Sequence, residues 1–220
     1  ALIIERGREF FHALTILGLQ AVTAAALAAS AVPEAMYDGL AWRLVGPHRA
    51  GWSTVSAVVP QEPETFYFGA AGGGVWKTTD AGRTWAPIFN EGPPSIGALA
   101  VAPSDPKTVY VGTGQVTSRY DGAAGEGAFK SKDAGATWTP IGLEKTRHIG
   151  AILVDPRNAD VVLVAAMGHA FGPNPERGVY RSEDGGATWQ RTLFVSENTG
   201  AVDLASDPAV PDVVFASVWQ

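Results

Sequence analysis

The sequence contains no cysteine, which excludes both a disulfide framework and a zinc site built on thiolates. Charged residues are sparse at 17%, and 22 acidic residues outnumber 16 Lys and Arg, giving a net charge of −6. Because phosphate binding depends on clustered basic residues, this balance argues against a nucleic acid partner. Phosphate-binding loops, serine-hydrolase elbows and His-Glu-x-x-His motifs are also missing, and the 4 histidines are scattered, so we predict no metal and no cofactor.

Hydrophobic residues, glycine and proline are plentiful. The hydrophobic share of 46% over 220 residues is enough to bury a core. The 26 glycines and 15 prolines exceed what a helical protein tolerates, and they indicate many short elements joined by tight turns. This composition favours an all-β fold.

The N-terminal segment has the pattern of an export signal. Arg6 and Arg8 precede an apolar stretch, and Ala29-Ser30-Ala31 offers small residues at a cleavage position. We predict that residues 1–31 form an apolar helix that directs export to the periplasm or the exterior, and that residues 32–53 lead into the folded part. An uncleaved membrane anchor is the alternative, because the apolar run approaches the roughly 20 residues that a span needs.

Three octets repeat along the chain at intervals of about fifty residues. Thr78–Trp85, Ser131–Trp138 and Ser182–Trp189 all read S/T-x-D-x-G-x-T-W. We call them the octet turns. The residues that recur at their fixed positions are Asp80, Gly82, Trp85, Asp133, Gly135, Trp138, Asp184, Gly186 and Trp189.

Each octet turn lies in a longer repeating unit of four short strands, A to D, of which C and D flank the octet. Short strands with turn residues between them, repeated at this period, are typical of β-propeller blades. The blades are predicted at about 54–90, 95–142 and 148–195, with an incomplete one at 200–220. The fold class is therefore an all-β propeller fragment of about three and a half four-stranded blades over 54–220.

The octet has a structural explanation. An aspartate can accept hydrogen bonds from backbone N–H groups two or three residues further on, and a glycine supplies the backbone freedom that a tight turn needs. The tryptophan, on strand D, can pack between neighbouring blades. We therefore predict that these residues shape the turns and bind no metal.

The octets resemble the Asp-box, or bacterial neuraminidase repeat, of sialidases, sortilin-type receptors and xyloglucanase-type glycoside hydrolases. Further segments extend the likeness to exported bacterial propellers described as sortilin N-terminal-like or glycosyl hydrolase-like. They are Trp42–Pro47, Phe68–Lys77, Thr146–Gly150 and Gly168–Asn174. The resemblance covers about 41–220 and implies a larger closed propeller, so the remaining blades of a longer chain are expected partners.

The resemblance does not extend to the catalytic residues of these enzymes. The Arg-Ile-Pro stretch that precedes the first Asp-box of sialidases is absent. An alignment on Gly73–Trp76 brings Ala71 to the position of the first catalytic aspartate of the xyloglucanase type, and alanine transfers no proton. We therefore expect a recognition module for a peptide, protein or glycan. A glycoside hydrolase with its carboxylates elsewhere is the alternative, and a non-catalytic envelope scaffold is the third possibility.

Propeller topology predicts which face carries the ligand. The loops from strand D to A and from B to C share one face, here called the entrance face, and the octet turns mark the opposite face. Polar and aromatic side chains converge on the entrance face and are our ligand-binding candidates: His48, Arg49, Tyr120, Glu126, Arg147, His148, His169, Phe171, Asn174, Glu176 and Arg177. A structural role is the alternative for each of them, with Arg147 and His148 bonded to loop backbone and Glu176 paired with Arg177.

Overall fold

The computed structural model describes residues 52–116 and 122–220. The predicted export segment, almost all of the lead-in and the candidates His48, Arg49 and Tyr120 lie outside these residues. No helix of the described part is long and apolar enough to cross a membrane.

The described chain forms three four-stranded antiparallel sheets and one two-stranded sheet, in sequence order. Each sheet follows the order of its strands along the chain, as in a propeller blade. Blade 1 contains β1 (Ser53–Val58), β2 (Phe66–Ala70), β3 (Val75–Thr78) and β4 (Ala86–Pro87); blade 2 contains β5 (Ile96–Ala102), β6 (Asp105–Thr113), β7 (Ala128–Ser131) and β8 (Thr139–Pro140). Blade 3 contains β9 (Ile149–Val154), β10 (Val162–Ala166), β11 (Gly178–Ser182) and β12 (Gln190–Leu193); blade 4 contains β13 (Gly200–Ser206) and β14 (Val214–Trp219). A 3-10 helix, Glu144–Thr146, joins blades 2 and 3.

The hydrophobic core lies between the blades. The first strands of successive blades, β1, β5, β9 and β13, pack side by side. Blade 1 contributes Tyr67 and Val75 to a cluster that includes Ile96 and Val109 of blade 2. An equivalent cluster joins blade 2 to Ile149 of blade 3. Apolar burial is therefore shared by neighbouring blades, which stabilise one another.

The three octet turns have the same hydrogen-bond geometry. In the second octet turn, Asp133 Oδ1 accepts from Ser131 Oγ at 2.7 Å and from the Thr137 N–H at 2.8 Å. Asp133 Oδ2 accepts from Thr137 Oγ1 at 2.6 Å. The backbone donor is thus four residues beyond the aspartate, rather than two or three, because the turn contains two successive positive-φ residues, Ala134 and Gly135. Every donor to this carboxylate belongs to its own turn, which explains the octet without a bound ion.

Two of the three octet tryptophans join their blade to the one before it. Trp138 of blade 2 donates its indole N–H to the Ile88 carbonyl of blade 1 at 2.7 Å. Trp189 of blade 3 donates in the same way to the Ile141 carbonyl of blade 2 at 2.6 Å. In blade 1 the Trp85 indole turns back to the Gly82 carbonyl of its own octet.

We expect Asp133→Asn to lower the unfolding temperature at pH 7 and to have little effect near pH 2. Hydrogen bonds from the side chain and backbone of Thr137 lower the pKa of Asp133 to about 2. A carboxyl whose pKa is lowered by folding stabilises the fold above its unfolded pKa and loses that contribution as the pH falls through about 2. The check is thermal unfolding of both proteins from pH 7 to pH 2.

The matched control is Glu64→Gln, which removes an exposed carboxylate next to the first octet turn and should unfold at the same temperature as the parent protein at pH 7. If the difference in unfolding temperature between Asp133→Asn and the parent protein stays constant down to pH 2, the carboxylate charge does not stabilise the turn.

Candidate functional site

Backbone hydrogen bonds define the two faces of the propeller fragment. The Ala81 N–H donates to the Glu64 carbonyl, and the Ala134 N–H donates to the Lys107 carbonyl. Each octet turn therefore lies beside the loop that joins the first two strands of its blade. The loops from second to third strand and the connections between blades form the opposite face, as predicted for the entrance face.

A cleft of about 510 Å³ lies on this entrance face. The 3-10 helix that leads into blade 3 forms one wall, and the loop between β10 and β11 forms the other. The lining residues are Glu144, Lys145, Arg147, His169, Asn174, Pro175 and Glu176. Four predicted ligand-binding candidates, Arg147, His169, Asn174 and Glu176, thus share one cleft.

Arg177 lies in the same loop but is buried and holds the loop together. Its Nη1 donates to the Met167 carbonyl at 2.8 Å, and its Nη2 donates to the carbonyls of His169 at 2.9 Å and Gly172 at 3.1 Å. Burial lowers the pKa of Arg177, and these three carbonyls supply the hydrogen-bond partners of its buried guanidinium. Within the described residues no ion pair joins Arg177 to Glu176. The guanidinium therefore holds the cleft wall together. The sequence had suggested instead that it contacts a ligand or pairs with Glu176.

Asn174 also holds the cleft wall together. In the amide orientation that satisfies its neighbours, its side-chain oxygen accepts from the His169 N–H and from Arg177 Nε, each at 3.2 Å. Its backbone N–H donates to the Glu197 carbonyl at 2.9 Å. Asn174 lines the cleft while fixing the course of the chain on both sides of Phe171.

His148 is buried just before β9 and does not line the cleft. Its Nδ1 lies 2.9 Å from the Gln115 carbonyl, so Nδ1 carries the proton in the neutral ring. Burial lowers the pKa of His148, and the charges of His169 and Arg147 act in the same direction. The imidazole therefore stays neutral at pH 7 and ties the β6–β7 loop to blade 3.

The remaining described candidates are exposed on the entrance face without lining this cleft. Glu126 is exposed, and its backbone N–H donates to Thr113 Oγ1 at 2.8 Å. The Phe171 ring is 74% exposed at the tip of the loop that carries His169. A ring so exposed offers an apolar face to a ligand that spans the entrance face.

Sequence reasoning missed three cleft residues, Glu144, Lys145 and Pro175. Glu144 and Lys145 belong to the 3-10 helix, which no turn or strand pattern in the sequence indicates. The charged run that ends in Arg147 was the available indication, since Glu144 and Lys145 are its direct neighbours. Their inclusion gives the cleft two carboxylates, two permanent cations and an imidazole.

Ala71 lies directly after β2, on the entrance face of blade 1. Its backbone N–H donates to the Trp52 carbonyl at 2.9 Å, and its methyl side chain offers no proton-transfer group. Glu144 and Glu176, by contrast, line the same cleft.

A second, larger cleft of about 670 Å³ lies between β8 and the third octet turn. Its lining includes Lys130, whose ammonium donates to Asp160 Oδ1 at 2.7 Å, and Trp189, whose indole N–H donates to the Ile141 carbonyl. Because its main polar groups are already partnered and none of the ligand-binding candidates lines it, the entrance-face cleft is the better candidate site.

Comparisons with known proteins agree with this architecture. No protein-family model matches the chain. The chain is 29% identical over 221 residues to a xyloglucanase from Paenibacillus sp, covering 91% of this chain and 20% of that protein. It is 31% identical over 122 residues to a xyloglucanase from Hypocrea jecorina, covering 52% of this chain and 13% of that protein. The chain thus spans about a fifth or less of the length of these relatives.

Solved structures show the same fold. An ancestral GH74 enzyme superposes with a TM-score of 0.57 at 22% identity, covering 76% of this chain and 22% of that one. A structure of YCF48 bound to D1 peptide superposes with a TM-score of 0.50 at 14% identity, covering 78% and 50%. The chain therefore has the fold of a β-propeller fragment, and its sequence is similar to those of xyloglucanases.

Proposed function

We propose that this chain is part of an exported propeller that binds a neutral polysaccharide of the xyloglucan class across its entrance face. Similarity to xyloglucanases supports the ligand class, and the shared cleft is the observation that carries the proposal. This similarity favours a glycoside hydrolase-like propeller, the alternative drawn from the sequence, over a general recognition module.

The chemistry of the cleft suits sugar hydroxyl groups. Each hydroxyl both donates and accepts a hydrogen bond, and the carboxylates of Glu144 and Glu176 accept while Arg147 and Lys145 donate. The two carboxylates and the two basic side chains offset each other, so the cleft offers no net attraction to a charged ligand. Phe171, exposed beside the cleft, adds an apolar surface for a sugar ring.

The same two glutamates are candidates for acid–base chemistry. Glycoside hydrolysis needs one carboxyl group as acid and a second as base or nucleophile on opposite sides of the scissile bond. Ala71 contributes no such group, so any hydrolytic step in this part of the chain would depend on Glu144 and Glu176. Export belongs to the proposal, because a polymer too large to cross a membrane is met outside the cytoplasm.

The test is titration of the full chain with xyloglucan oligosaccharides by calorimetry, together with a reducing-sugar assay. We expect saturable binding that weakens about tenfold in His169→Ala, which is the loss of one hydrogen-bonded contact. The control is Lys107→Ala, on the opposite face, which should bind as the parent does.

The two readouts separate the functions. Turnover that Glu176→Gln abolishes would identify a hydrolase, and binding without turnover would identify a recognition module. Equal binding by His169→Ala and the parent would contradict a role for this cleft.

Peptide binding is the second candidate, favoured by the likeness to YCF48, whose structure is described as bound to D1 peptide. The exposed ring of Phe171 and the charges of the cleft would also suit a peptide. Competition between a xyloglucan oligosaccharide and an unstructured peptide library on the same protein distinguishes the two ligands.

A further inference from the structure

Arg147 is the central residue of a strained γ-turn. The His148 N–H donates to the Thr146 carbonyl at 2.6 Å, and between them Arg147 has φ 60° and ψ −40°. The positive-φ form of the γ-turn is rare, because a Cβ atom is crowded against the backbone in that conformation. Arginine has no local means of relieving this crowding.

Neighbouring backbone holds the turn in place. The Gly125 N–H donates to the Arg147 carbonyl at 2.6 Å. Gly114 passes so close to the same carbonyl that a Cβ built on it would overlap the oxygen. The loop of blade 2 therefore fixes the direction in which Arg147 projects.

The blade architecture does not require this strained conformation. At the preceding junction the Pro94 carbonyl accepts from the Gly74 N–H at 2.9 Å, as the Arg147 carbonyl accepts from Gly125. The Ser95 carbonyl accepts from Gly114 there, as the His148 carbonyl accepts from Met167. Proline restricts φ to about −65°, so an equivalent junction forms without a positive φ.

The guanidinium that this turn presents is exposed and lines the entrance-face cleft. Across residues 52–116 and 122–220, no side chain or carbonyl accepts a hydrogen bond from it. This differs from Arg177, whose guanidinium donates to three carbonyls in the same loop region. A strained backbone thus holds a donor group that the described part of the chain does not use.

We propose that Arg147 is the ligand anchor of the cleft and that its γ-turn keeps the guanidinium aimed at a neutral hexose with adjacent hydroxyl groups. This inference rests on the proposed function. Two parallel N–H groups of a guanidinium match a pair of neighbouring oxygens, which sugars and carboxylates both offer. Glu144 and Glu176 offset the charges of Lys145 and Arg147 in the same cleft, so a carboxylate gains no net attraction there and the neutral sugar is favoured.

The experiment compares Arg147→Gly, Arg147→Ala and Lys145→Gly in the full chain. Thermal unfolding reports the strain, and calorimetry reports affinity for a xyloglucan oligosaccharide and for an anionic galacturonan oligosaccharide. Arg147→Gly should raise the Tm by roughly 2–4 °C, since glycine tolerates a positive φ. It should also weaken binding of the xyloglucan oligosaccharide about tenfold.

The two other variants separate strain from recognition. Arg147→Ala keeps the Cβ atom and so should lose the same affinity without gaining Tm. Lys145→Gly, at a neighbouring cleft cation with no positive φ, should lower the Tm.

A lower Tm in Arg147→Gly would overturn the inference, because it would make the arginine a structural residue. Unchanged affinity in Arg147→Ala, or tighter binding of galacturonan than of the xyloglucan oligosaccharide, would overturn the anchor or its ligand class. If the parent protein binds neither oligosaccharide, the proposed function fails and the ligand class with it. The Tm of Arg147→Gly still decides whether the turn is strained.

Discussion

Gly112→Val is expected to destabilise the fold by about 3 kcal/mol or more, the range for overpacking a site that cannot relax. Gly112 is buried in β6 beneath the first strand of the next blade. A Cβ built on it would overlap Ile149 Cγ2 and would lie 3.2 Å from the Ala98 Cβ. Ile149 is itself fully buried in the core shared by blades 2 and 3, so it has no free space to move into. Chemical denaturation of the parent and the variant measures the loss.

Gly72→Val is the matched control, because a Cβ at Gly72 meets nothing within 4 Å. The same substitution there should change stability by less than about 0.5 kcal/mol. Equal stability of the two variants would show that the blades can separate to accept a side chain. The close approach of Gly112 and Ile149 would then not determine how tightly the blades pack.

Asp160→Ala is expected to destabilise the protein by about 1–3 kcal/mol, which is more than Lys130→Met. Lys130 Nζ lies 2.7 Å from Asp160 Oδ1 and 5.1 Å from the centre of the Tyr110 ring, and its side chain is 6% exposed. Burial alone would lower the pKa of Lys130, but hydrogen bonds with Asp160 and Tyr110 outweigh it and the pKa is raised. Removing Asp160 would leave a buried ammonium without its carboxylate.

Lys130→Met removes the buried charge together with its need for a partner, so its cost should be smaller. The double variant Lys130→Met/Asp160→Ala should be more stable than Asp160→Ala alone. Urea unfolding of the three variants and the parent protein gives the four free energies of unfolding that a double-mutant cycle needs. A double variant that is less stable than Asp160→Ala would contradict the view that the unpaired ammonium causes the loss.

The propeller fold could be predicted from the sequence because each repeated turn is stabilised by residues within its own octet. Each octet turn contains its own donors and acceptors, so Asp133, Gly135 and Thr137 announce the turn wherever it occurs. The aromatic and β-branched runs between the turns then allow one arrangement of strands. The aromatic run Phe66–Ala70 has the composition of a strand and is β2. In blade 2 the β-branched and aromatic run begins at Val109, whereas β6 begins at Asp105, since a proline and charged residues occupy its first positions.

The site was less predictable, since loop conformation decides which polar side chains meet. Arg147 and His148 are adjacent in sequence, yet one is exposed in the cleft and the other is buried. Nothing in the residue types indicates that Arg177 will turn inward, because its partners are backbone carbonyls whose directions depend on the whole loop. The positive φ of Arg147 contradicts the local preference of arginine. Such a conformation follows only from the surrounding backbone.

The indole bonds from Trp138 to Ile88 and from Trp189 to Ile141 have a consequence for synthesis on the ribosome. Blades 1 and 2 each receive an indole hydrogen bond from a residue about fifty positions further along the chain. Translation proceeds from the N-terminus, so blade 1 lacks this bond until Trp138 has left the exit tunnel, and blade 2 lacks it until Trp189 has. At any moment of elongation the most recently completed blade is the least protected from proteolysis. A stalled nascent chain should therefore become resistant in steps, one blade behind its growing end.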